Sequence, residues 1–135
     1  MTSHTGPRAL SDGAVIWEIR NPDGASMGLE FARARLDGYA TLLVHAAPSR
    51  IEVVVRDEAG VQLAAAEDLE AEGAAPMSRL TVRDGSIRRE NVWPVAADVG
   101  LPVILPGGEV GILLSWWNAE DHSSWRWQIE LANSV

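Results

Sequence analysis

The sequence predicts a single all-β domain, an antiparallel β-sandwich of about eight to ten strands with Greek-key or jelly-roll connections. Three observations predict it. Four Asp-Gly pairs (Asp12-Gly13, Asp23-Gly24, Asp37-Gly38 and Asp84-Gly85) punctuate the chain. Short runs rich in Val, Ile, Leu and Trp lie between them at ~8–12-residue spacing. A chain of 135 residues buries about two thirds of its unfolded surface, enough for one core. Asp tolerates the left-handed region and Gly occupies it without penalty, so Asp-Gly between apolar runs marks a tight turn. Gly60 and Gly107-Gly108 add two more turns. Residues 1–9 are small and polar and are expected to be a flexible tail, leaving 10–135 as the folded domain.

Nine strands follow from the pattern. Ala14 to Arg20 alternates, with Val15, Trp17 and Ile19 on one face. Met27 to Leu36 starts with Met27, Leu29 and Phe31 on one face and then puts Arg33 and Arg35 in that phase, which suggests a bulge or a strand leaving the core. Tyr39 to Ala46 and Ile51 to Arg56 are compact apolar runs. Val61 to Ala66 reads as a strand that gives way to an acidic loop; a short helix over Gln62 to Glu72 is the alternative. Ser78 to Arg83, Ile87 to Trp93, Val110 to Asn118 and Trp125 to Leu131 complete the set. The segment from Pro94 to Pro106 contains three prolines and reads as a crossover between sheets.

Composition excludes much chemistry. There is no Cys, hence no disulfide, thiolate metal site or Cys nucleophile. All eleven basic residues are Arg, so no lysine can form a Schiff base or fill a phosphate loop. A net charge of −8 disfavours nucleic acid and anionic membranes, and no apolar run is long enough to span a bilayer as a helix. No leader-like segment or Asn-X-Ser/Thr acceptor is seen, so a cytoplasmic location is expected. No cofactor and no metal is expected.

Several motifs match a pattern without its context. Gly24-Ala25-Ser26-Met27-Gly28 fits the nucleophile elbow, but it follows a turn and precedes a strand in too short a chain. The three histidines, His4, His45 and His122, include no His-X-His pair. His45, within an apolar strand, is expected to be packed or hydrogen-bonded; as an alternative it is the one candidate catalytic base. Six acids and no base lie between Asp57 and Glu72, and four Arg lie between Arg79 and Arg89. These read as solvated edges, the sharper alternatives being a self-complementary dimer or an anion clamp formed by Arg88 and Arg89.

Six Trp stand against one Phe and one Tyr, and four of them fall between 116 and 127. Keeping apolar faces together pairs Trp116 with Trp125, Leu114 with Trp127, Ile112 with Ile129 and Val110 with Leu131. Trp116, Trp125 and Trp127 are then core. Trp117 falls on the other face, diagonal to Arg126. Trp17 and Trp93 read as core or strand-end anchors.

Trp117, Arg126, Asn118, Asp121 and His122 are thus the candidate recognition patch, since Trp and Arg are preferred interface residues and aromatic planes also suit sugar rings. The expected function is a non-catalytic binding or accessory protein engaging a protein partner or a second copy of itself. The alternatives are a small enzyme or cyclase enclosing an apolar molecule, with His45 as base, and a carbohydrate-binding module with Trp117 as platform.

Overall fold

The computed structural model describes residues 10–11, 13–22, 31–70, 75, 77–105, 108–118 and 125–131; the side chains of residues 31, 32, 116–118, 125–127 and 131 lie outside that description. Ten strands form among these residues: β1 (Ala14–Arg20), β2 (Phe31–Asp37), β3 (Thr41–His45), β4 (Arg50–Asp57), β5 (Gln62–Glu70), β6 (Met77–Arg83), β7 (Ser86–Val92), β8 (Pro102–Ile104), β9 (Val110–Asn118) and β10 (Trp125–Leu131). One turn of 3-10 helix spans Ala96–Asp98. The strands make an all-β sandwich of two sheets, ordered β2-β1-β4-β5 and β10-β9-β8-β3-β6-β7. The chain passes between sheets at β2–β3, β3–β4 and β5–β6, and the sheets stack with β5 on β7 and β2 on β8.

Alternation delivers the main core. Val15, Trp17 and Ile19 of β1 and Ile51, Val53 and Val55 of β4 are fully buried against Leu42, Val44, Leu80 and Ile104 of the six-stranded sheet. The Trp17 indole N–H donates to the Tyr39 carbonyl at 3.3 Å, satisfying its one donor inside the core. Asp84-Gly85 is a two-residue hairpin turn with both residues at positive φ (53° and 78°), as the Asp-Gly signal requires.

Five expectations are corrected. The sheet is not wholly antiparallel: β3 and β8 pair in parallel, Leu43 against Val103 and Val44 against Ile104. The 94–106 segment is not a crossover between sheets. It runs from β7 to β8 within the six-stranded sheet, passing β6 and β3, and β8 itself is a strand beyond the nine expected. Pro102 is tolerated there as a first strand residue. The acidic segment is strand as far as Glu70, not loop, and Val61 is an exposed turn residue. Two register shifts on β5, with Asp68 at φ 55°, break the alternation that would have revealed it. β2 has no bulge against β1; Ala34 and Leu36 face the core while Arg33 and Arg35 face out.

The last correction is the C-terminal hairpin. Trp127 opposes Trp116, Arg126 opposes Trp117 and Trp125 opposes Asn118; after a shift at Gln128/Ile129, Ile129 opposes Leu113. The expected register follows from one buried face per sheet. The six-stranded sheet has two. On its outer side the 93–101 segment covers a second core of Leu43, Met77, Leu101, Val103 and Leu113, against which Val92 and Ile129 pack. Leu113 therefore takes a buried position, and Leu114, the extra residue of the bulge, is left 41% exposed.

A polar clasp holds that cover. Asp98, 3% exposed, accepts from Arg79 Nε at 3.0 Å and Nη2 at 2.7 Å, and from the Val95 backbone N–H at 2.8 Å. Gly100 N–H donates to Leu113 O and Leu113 N–H to Leu101 O, tying the segment to β9. Removing one partner of a buried pair strands the other. Asp98→Ala is expected to cost about 2–4 kcal/mol in denaturant unfolding. Arg20→Ala, which removes an exposed 3.8 Å pair with Glu52, is expected to cost under about 1 kcal/mol in the same assay.

Candidate functional site

The four-stranded sheet lies against the other through β5 on β7 at one side and β2 on β8 at the other. β9 and β10 lie beyond β8 in the order of the six-stranded sheet, and Trp117, Asn118 and Arg126 lie on them. Trp117 and Arg126 are direct register partners rather than the diagonal neighbours expected, and Asn118 is the last residue of β9, opposite Trp125. Asp121 and His122 lie outside the described residues. Next to this ladder Ser115, Gln128 and Glu130 are exposed and Ile112 is half-buried.

Arg88 and Arg89 do not converge. They are consecutive on β7, so they project to opposite faces. Arg88 is exposed. Arg89 turns inward: its Nη1 donates to Leu69 O at 2.8 Å and Ser49 O at 3.1 Å, its Nη2 to Pro48 O at 2.7 Å, and its Nε to Ser78 Oγ at 3.1 Å. Ser78 Oγ in turn donates to Asn91 Oδ1 at 2.8 Å. Burial pushes the Arg89 guanidinium below its ordinary pKa, and four carbonyl and hydroxyl oxygens replace the lost water. This Arg fastens the edge of one sheet to the other.

The acidic run is likewise paired locally rather than with Arg79–Arg89: Asp68 with Arg50 and Glu58 with Arg35. On the outer face of the four-stranded sheet Glu18 pairs with Arg56 and Arg20 with Glu52, and these four with Val54 line a shallow depression of roughly 150 Å³. The grouping with β4 required the register that sets Glu18 beside Val54.

His45 ends β3, opposite Met77 and half-buried, and is followed by Ala46 in the left-handed region at φ 54°. Burial holds its pKa below the ordinary histidine value. Among the described residues no three His, Asp or Glu are grouped as a metal would need. No helix among them is long and apolar enough to cross a membrane.

The fold and the hairpin define a β-sandwich of unassigned activity. The chain belongs to a family of unknown function (DUF7712), whose model matches residues 10–135. No curated protein and no solved structure matches it.

The His45 shift fixes a sign. A histidine whose folded pKa is depressed stabilises the fold while it is neutral in both states. As pH falls through the unfolded value, near ~6.5, the unfolded chain takes the proton first and stability declines until the folded pKa is passed. Unfolding free energy measured between about pH 7.5 and 5 is expected to fall less steeply in His45→Gln than in the wild type.

Proposed function

We propose that the protein is a non-catalytic binding or accessory domain of the cytoplasm, which engages a protein partner through its C-terminal hairpin. The observation that carries this reading is the register that sets Trp117 against Arg126 at the β9–β10 end of the six-stranded sheet. Trp and Arg are among the residue types enriched at the hot spots of protein interfaces, and a guanidinium is attracted to an indole face. Leu114, on the same strand as Trp117, is an exposed large apolar side chain. The acid excess supports a neutral or cationic partner surface, and the lack of Cys supports a reducing compartment.

Affinity capture with the wild-type chain, Trp117→Ala and Trp17→Ala, each with a melting curve, tests the reading. Trp117→Ala is expected to lose the captured partner while its stability changes by less than about 1 kcal/mol. Trp17→Ala, which empties the centre of the core, is expected to cost about 3–5 kcal/mol. A Trp117→Ala cost of that size would make Trp117 a packing residue and remove the reading.

A further inference from the structure

An open sheet ends in edge strands, each a row of backbone donors and acceptors that can pair with another chain unless something blunts it. The four edges here are β2, β5, β7 and β10. β5 is blunted by its two register shifts and by Asp68 in the left-handed region. β2 is blunted by charge: antiparallel pairing with its own copy about Ala34 would set Arg33 against Arg35. β10 belongs to the hairpin already assigned to a partner.

β7 carries none of these guards. It pairs with β6 through seven consecutive residues, from Met77–Val92 to Arg83–Ser86, without a shift, and it contains no Pro. Among the described residues no turn, loop or cap backbone hydrogen bond reaches it. Its outward side chains include Arg88 and Glu90, both exposed. Arg88 has no ion-pair partner among the described residues, and Glu90 has one long contact, 3.9 Å to Arg79.

We infer that β7 is the interface of a symmetric homodimer, in which the six-stranded sheets of two copies join edge to edge as one continuous sheet. This goes beyond the hairpin reading and uses a different surface. A two-fold axis perpendicular to the sheet keeps outward residues opposite outward residues, so the allowed registers are centred on a residue and differ by two in pairing. Centred on Arg89, the register sets Arg88 against Glu90 of the second copy, and does so twice. It also overlaps all seven residues of the strand, the maximum number of ladder hydrogen bonds. Centred on Arg88 or on Glu90, the strands would oppose like charges and overlap less. The charge pattern and the strand bounds thus select one register. Arg89 meets its own copy at the axis, but its guanidinium is already bound to Pro48, Ser49 and Leu69 within its own subunit.

Sedimentation velocity on the full chain tests this. The wild type is expected to dimerise, and raised salt to weaken the dimer. Arg88→Glu alone and Glu90→Arg alone each place like charges opposite one another twice, and each is expected to raise the dimer Kd by at least about tenfold. An equimolar mixture of the two variants restores both ion pairs across the axis and is expected to recover the dimer. A wild type that stays monomeric up to about 1 mM overturns the proposal. So does an Arg88→Glu chain that dimerises like the wild type, or a mixture of folded variants that stays monomeric. Circular dichroism checks the fold of each chain. Should Glu90→Arg unfold through its neighbour Arg79, the Arg88→Glu comparison decides alone. Trp117→Ala should leave this dimer intact, which separates it from the hairpin reading.

Discussion

One carboxylate holds the architecture of the larger sheet. Asp98 takes two parallel hydrogen bonds from Arg79 and one from the Val95 N–H, at a site where water barely reaches it. The pair contributes little over an apolar pair of the same shape, because both charges must be desolvated. Its effect is geometric. It fixes where the segment after β7 lies, and so which side chains that segment covers. With it in place, Leu101 packs on Leu43, Met77, Val103 and Leu113, and β8 is delivered alongside β3 in the parallel sense.

Burial of both faces of the larger sheet follows from that clasp. The run Thr41–Leu42–Leu43–Val44 is buried at every position, which an antiparallel sheet open to water on one side does not allow. The same cover reaches the hairpin. Leu113 must face the outer core, Ile129 must oppose it, and the register of β9 on β10 shifts by a bulge to allow this. The bulge exposes Leu114 and brings Trp117 opposite Arg126. The binding surface proposed for this protein is therefore a consequence of packing on the far side of the same sheet. At the other end of the sandwich Arg89 plays a comparable part, closing β7 onto the loop before β4 and onto β5 through main-chain carbonyls. An Arg suits this role because its planar fork serves several acceptors at once.

Charge on the surface is settled locally. Of the acids of 57–72, Glu58 pairs with Arg35 and Asp68 with Arg50, and the two ion pairs on the outer face of the smaller sheet join β1 to β4. These pairs are half-exposed and individually weak. Together they keep that face polar and well matched to solvent, in contrast to β7, where an Arg and a Glu lie exposed along an unguarded edge.

Features that depend on neighbours within one strand can be read from the order of residues. The phase of Val15, Trp17 and Ile19, the Asp84-Gly85 turn and the approximate position of every described strand but β8 and the second half of β5 were legible, because side-chain alternation and left-handed turn residues act over a few residues. The tertiary structure alone decided what depends on a distant cover or a cross-strand register. β8 is three residues long and has no alternation to read. Arg79 and Asp98 are 19 residues apart and carry no shared motif. β5 hides behind two bulges, and the hairpin register turned on a second core that no single strand announces. Alternation reports whether one face of a strand is apolar. Whether its other face is also buried is decided by a connection elsewhere in the chain, and here by the carboxylate that pins it.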